Sequence, residues 1–123
     1  PLSSPHPRIM IGGTGPNKTL RMVAQYADAC NIGDWVGTEN MQKALDTLKG
    51  HCETLGRDYD TIEQSSLCTV ILSGIDTVES TVVRIKELSA VGFTHVIFNM
   101  PDVYSITPLK TFEKEIIPAV AGL

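Results

Sequence analysis

The sequence predicts an α/β fold built on a parallel sheet, and three observations carry that reading. Short apolar runs, each stopped by glycine or a polar turn, alternate four times with amphipathic helical stretches. A helical stretch follows each run, as parallel strands joined by right-handed crossovers require. No linker, low-complexity tract or close internal repeat divides the 123 residues, so the chain is one domain at most, or part of one.

The elements follow in order. Ile9–Ile11 is a short apolar run ended by Gly12 and Gly13, and reads as a strand buried on both faces. A helix is predicted from Pro16, with Thr14 or Gly15 as its cap and Leu20, Val23, Ala24 and Ala27 as its apolar stripe. Ala29–Ile32 is the second strand, closed by Gly33 and Asp34. Thr38 caps the longest helix, whose stripe is Met41, Ala44, Leu45, Leu48, Cys52 and Leu55, with Gly56 at its C-terminal turn. Residues 57–66 read as a polar connection with a helical turn near Asp60, and Leu67–Leu72 as the third strand. Asp76-Thr77-Val78-Glu79 has capping-box spacing and opens a helix carrying Val78, Val82, Ile85 and Leu88, ended by Gly92. Thr94–Asn99 is the fourth strand. Thr107 is the predicted cap of a last helix, with Pro108 in its first turn and Leu109, Phe112, Ile116 and Val120 inward.

Composition bounds the function. With 42% hydrophobic and 20% charged residues and a mean hydropathy of +0.05, the chain has material for a core and is not a disordered tail. A net charge of −4 argues against nucleic acid and anionic membrane surfaces as partners. No apolar run spans a bilayer and no signal peptide is visible, so the expected location is cytoplasmic. The chain opens on Pro1 rather than Met, which points to processing or truncation at its start. Cys30, Cys52 and Cys68 are odd in number and widely spaced, so they read as buried free thiols rather than a disulfide framework or a metal site.

The segment that carries chemistry runs from Ile9 to Leu20. A strand enters a glycine-rich turn, Gly12-Gly13-Thr14-Gly15, and then a helix start at Pro16-Asn17-Lys18. Glycines let backbone approach a ligand closely, and the free N–H groups and positive dipole of a helix start bind anions. Lys18 adds a charge, and phosphate is the natural guest. The spacing matches neither a Walker A loop nor a dinucleotide fingerprint, and the bland alternative is a tight strand-to-helix turn. Trp35, after Gly33-Asp34, either lines a pocket or covers the rim of the sheet. Asn99, before Met100-Pro101-Asp102, either reaches a ligand or belongs to a polar turn. His6, His51 and His95 have no spacing that suggests a metal or catalysis.

Residues 7–13 together with residues 19–31 resemble the luciferase-like monooxygenase superfamily, and more narrowly its branch of oxidoreductases dependent on coenzyme F-420. His51-Cys52-Glu53, Gly56-Arg57-Asp58-Tyr59-Asp60, residues 92–98 and Ile116-Ile117-Pro118-Ala119-Val120 extend the likeness along the chain. It implies that residues 1–123 are the C-terminal half of a (βα)8 barrel, four βα units whose N-terminal half is absent. The cofactor is then coenzyme F-420, with FMN second. Its phosphate is expected at Gly12, Gly13, Gly15, Pro16 and Lys18, with Gly33 close by and Trp35 and Asn99 toward the substrate pocket. Relatives often carry Gly-Glu-Lys in that turn, and Pro16 removes one N–H donor here. The general barrel habit of holding phosphate after strands seven and eight is overridden by this family pattern.

In such enzymes the first four strands supply the bed of the ring and the proton donors, so no catalytic residue is assigned. The expected partners are the N-terminal half, or a second copy joined through the sheet edges, together with a small-molecule substrate. The alternative function is a non-catalytic half-barrel module that assembles through those edges. Replacing Gly13 with Val is expected to block the phosphate and spare the fold.

Overall fold

Strands β1 (Met10–Gly12), β2 (Ala29–Gly33), β3 (Glu63–Thr69) and β4 (His95–Asn99) form one sheet in that order, and every neighbouring pair is parallel. The structure is a computed structural model that describes residues 2–123, and Pro1 lies outside them. Helices α1 (Thr19–Tyr26), α2 (Thr38–Leu55) and α3 (Val78–Val91) are the crossovers. After β4 the chain continues through α4 (Thr107–Thr111), a π-helical turn (Phe112–Ile116) and α5 (Ile117–Val120).

Alternation along the strands divides the sheet into two unlike faces. Ile11, Cys30, Ile32, Cys68, Val96 and Phe98 point into one apolar layer with Leu20, Val23, Met41, Leu45, Leu48 and Leu88 from the helices. The opposite face carries Gly12, Asn31, Ser65 and His95 in one paired row, then Gly33, Leu67 and Ile97, then Thr69 and Asn99. Met10, on that second face, is 48% exposed, and the helices pack on the first. β1 and β4 are the two open edges.

Helix α1 begins three residues later than its sequence predicts, and neither Thr14 nor Gly15 caps it. A helix from Pro16 needs the Pro16 carbonyl to accept from Leu20 N–H. Instead that carbonyl accepts from His51 Nε2 at 2.7 Å, and Leu20 N–H reaches back to the Gly15 carbonyl at 3.0 Å. The last carbonyls of α1 are satisfied from outside, by the Arg57 guanidinium on Ala24 O at 3.1 Å and Ala27 O at 2.7 Å.

The start of β3 was hidden by its polar letters. Glu63–Thr69 replaces the predicted Leu67–Leu72, because the buried polar groups of Gln64, Ser65 and Ser66 all find acceptors. Ser65 donates to Cys30 O at 2.7 Å, Ser66 to Ile32 O at 2.8 Å, and the Gln64 amide to Ile62 O. Ile71 instead closes a turn, its N–H donating to Asp76 Oδ2 at 2.8 Å. The capping box forms one residue later than predicted, with Thr77 and Ser80 exchanging hydrogen bonds at 3.1 and 2.9 Å.

Gly37 rather than Thr38 sits at the cap of α2, and Ile106 rather than Thr107 at the cap of α4. Leu55 and Leu109 are each 42% exposed and lie outside the core that their spacing predicts. All three cysteines are buried free thiols, as expected.

The difference between Leu48 and Leu55 is testable by urea denaturation. Leu48 is fully buried, so Leu48→Ala is expected to cost about 2–5 kcal/mol. Leu55→Ala, on the same helix, is expected to cost less than about 1 kcal/mol. Equal losses would show that the last turn of α2 is packed.

Candidate functional site

The residues singled out from the sequence gather at the C-terminal ends of the strands, where open parallel sheets hold ligands. Gly12, Gly13, Gly15, Pro16 and Lys18 share the β1–α1 loop. Gly33 ends β2, Trp35 lies in the 3-10 turn Asp34–Val36 that follows, and Asn99 ends β4.

Within the loop the donors differ from what composition suggests. Gly13 N–H is already spent on Asn31 O at 3.0 Å, which extends the β1–β2 pairing by one residue. The N–H groups of Thr14, Gly15, Asn17 and Lys18 make no hydrogen bond among the described residues. Four of the five positions from Thr14 to Lys18 thus carry an N–H without a partner among the described residues, and Pro16 has none.

Two glycines are sterically required. Gly13 has φ +117°, which side chains rarely adopt, and a Cβ on Gly15 would stand 2.8 Å from Thr19 Oγ1. Gly13→Val therefore strains the backbone whatever binds, contrary to the expectation that it spares the fold. A Cβ on Gly12 meets only Asn31 O, at 3.7 Å, so Gly12 is where a side chain fits without strain. Because a carbonyl only accepts, the 2.7 Å contact with Pro16 O fixes a hydrogen on His51 Nε2. His51, set aside in the sequence as mid-helical, thus ties α2 to this loop.

Over β2, Trp35 lies against Gly33. Its Cη2, Cζ2 and Cζ3 atoms stand 2.2, 2.3 and 2.3 Å from the point a Gly33 Cβ would occupy. The indole is nevertheless 72% exposed, while Gly33 beneath it is buried. The Asn99 side chain is exposed on the same face, and the Asn99 backbone carbonyl accepts from Val70 N–H at 3.0 Å.

The cavities of the described residues that stand out lie on the helix side. One of about 500 Å³ borders the loop through Thr14 and Pro16 and reaches Asn40, Lys43 and Thr47 of α2. A second, apolar and about 610 Å³, lies between α3, Phe98 and the Phe112–Val120 segment.

Sequence reading missed the ties that hold the strand ends. Arg84 bonds Asp76 at 2.8 Å and Thr69 O at 2.7 Å and stands 3.7 Å from Asp34, joining residues too far apart in sequence for spacing to reveal. Asp102 is 4% exposed, accepts from Ser73 N–H at 2.9 Å, and leaves Oδ1 without a partner. Beside this network, burial and then the nearby Asp34 carboxylate push the Cys68 thiol up to about 12, so it is not a nucleophile. Among the described residues no group of three or more His, Cys, Asp or Glu could hold a metal.

The known structures that resemble this arrangement are barrels. Tetrahydromethanopterin reductase from Methanopyrus kandleri, coenzyme F420 dependent, superposes with a TM-score of 0.71 at 15% identity, over 90% of this chain and 50% of that one. An F420-dependent secondary alcohol dehydrogenase, solved with an F420-acetone adduct, gives 0.76 at 14% identity, over 94% and 49%. This chain has the fold of half a (βα)8 barrel. It spans about half the length of both structures. DmoA from Hyphomicrobium sulfonivorans matches more partially, with a TM-score of 0.45 at 19% identity over 69% and 17%. No family model and no curated protein matches the chain. Among the described residues no helix is long and apolar enough to cross a membrane.

At the opposite, N-terminal ends of the strands, Glu63 accepts from His95 Nδ1 at 2.7 Å and from Arg8 at 2.9 Å. These two hydrogen bonds, His95 first, hold the Glu63 carboxyl below its ordinary 4.5. A depressed pKa stabilises the fold above the unfolded value, and that contribution is lost as pH falls through the folded value. Glu63→Gln is expected to cost under about 1 kcal/mol above about pH 5, since the partners are solvent-screened. Wild type and variant should converge in acid-denaturation curves once the pH has fallen through the depressed folded-state value of Glu63. A constant difference down to pH 3 would show that the carboxylate charge is not what the cluster uses.

Proposed function

We propose that this half-barrel supplies the cofactor-phosphate side of an oxidoreductase site for coenzyme F-420, with FMN as the second candidate. The observation that carries the reading is the β1–α1 loop, where the amides of Thr14, Gly15, Asn17 and Lys18 are free. It stands at the ligand-bearing edge of a sheet whose fold is shared with two F420-dependent enzymes.

Gly12 admits close approach of the phosphate, Lys18 adds a positive charge, and His51 fixes the Pro16 carbonyl between the unpaired amides. The cofactor supplies hydride transfer at its ring when bound. This chain's residues bind and orient its anionic end, while Trp35 and Asn99 border the rest of the pocket beyond it. The proposed C-terminal half carries no assigned catalytic residue.

A complete site then needs a partner that pairs with the open edges β1 and β4, either an N-terminal half or a second copy of this chain. Ile9 at 42%, Met22 at 47% and Tyr26 at 59% exposure leave apolar surface along the β1–α1 side for such a partner. The same surface serves the alternative reading, a non-catalytic module that assembles through its edges.

Sulfate titration followed by amide NMR tests the phosphate grip. Saturable shifts are expected at residues 14–18, and Gly12→Val and Lys18→Ala should each weaken binding, by about tenfold for the more sensitive variant. Shifts elsewhere, or unchanged affinity in both variants, would remove the assignment. In a cofactor-oxidation assay the chain alone is expected to give no turnover with reduced F-420 or FMN, because a ring displaced by about 1 Å already loses about a hundredfold. Turnover is expected to return with an N-terminal half supplied in trans. A folded, reconstituted pair that stays silent would favour the non-catalytic module.

A further inference from the structure

We infer that Trp35 is a stacking platform for a planar conjugated ring, and that Gly33 exists to let its indole lie flat on the sheet. The ligand class rests on the cofactor reading above, whereas the platform rests on geometry.

Three consecutive atoms of the six-membered ring, Cζ2, Cη2 and Cζ3, are almost equidistant, at 2.2 to 2.3 Å, from the point where a Gly33 Cβ would lie. A point beside the ring edge would be much closer to Cη2 than to its two neighbours. Near equality at this distance requires a point above the ring, close to its centre. The Gly33 Cα–H therefore faces the ring, and any side chain at residue 33 would displace it. Since one face rests on Gly33 and the residue is 72% exposed, the other face is open.

The surroundings argue for a heterocycle rather than an aliphatic partner. One row beyond Gly33, Leu67 and Ile97 stand Thr69 and Asn99, both exposed, and one row before it stands Asn31. Asn31 donates to Ser65 Oγ at 2.9 Å, and its Oδ1 accepts nothing among the described residues. An aliphatic side chain laid on the indole would cover these groups without pairing them. A flat conjugated ring with polar edges stacks on the indole and offers hydrogen bonds around its rim. β1 and β2 are adjacent strands about 5 Å apart, so a molecule held by its phosphate at the β1 loop reaches the plate on β2 without crossing the sheet.

Trp35 is the chain's single tryptophan, so fluorescence excited at the red edge, where the three tyrosines do not absorb, reports on it alone. Riboflavin, FMN and coenzyme F-420 are expected to quench it saturably after inner-filter correction, and ribose 5-phosphate, which has no conjugated ring, is not. By equilibrium dialysis, Trp35→Phe should keep ring binding and Trp35→Ala should weaken it about tenfold. Gly33→Val should shift the emission and weaken ring binding while leaving sulfate shifts at residues 14–18 in place. Quenching by riboflavin without any sulfate or ribose 5-phosphate binding would sink the phosphate grip and leave the platform standing. No saturable quenching by any of the three ring compounds would overturn the platform, as would equal affinity of wild type and Trp35→Ala.

Discussion

Cys30, Ile32 and Cys68 point from neighbouring parallel strands into the same apolar layer as Leu20, Val23, Leu45 and Leu48. That one-sided burial is the constraint on which the rest of the molecule depends. Parallel sheets are ordinarily covered on both faces, because crossover helices and strand alternation together leave two apolar surfaces. Here the helices occupy one face, and the other is free to carry small and polar residues. Gly12, Asn31, Gly33, Ser65, Thr69 and Asn99 sit there by register.

The strand ends are held by contacts that cost the chain polar burial and return a fixed edge. Arg84 gathers Asp76, Asp34 and the Thr69 carbonyl at one corner, and His51 anchors the Pro16 carbonyl at another. The His51 contact takes the Pro16 carbonyl that a helix from Pro16 would offer to Leu20, and the amides of residues 14, 15, 17 and 18 make no hydrogen bond among the described residues.

The same argument explains why the site lacks walls. A grip built from one continuous segment needs only that segment, whereas a bed for a ring needs residues from several strands around a closed lumen. The likeness to two barrels, over about half of each, agrees with a surface that continues past β1 and β4.

The sequence by itself determined the four βα units, the apolar helix stripes and the glycine-rich turn, because each is written in a local period or a local backbone requirement. It also placed Gly12, Gly15, Gly33, Trp35 and Asn99 at strand ends. Tertiary structure alone decided where β3 starts, since Ser65 and Ser66 read as loop until Cys30 O and Ile32 O are there to accept from them. It decided that α1 begins at Thr19, through a histidine 35 residues away from Pro16. It decided that Gly13 donates to the sheet rather than to a ligand, and that the Trp35 ring lies face-on over Gly33. Each of these depends on which distant group becomes a neighbour, and neighbour identity is a property of the assembled sheet, not of any window of sequence.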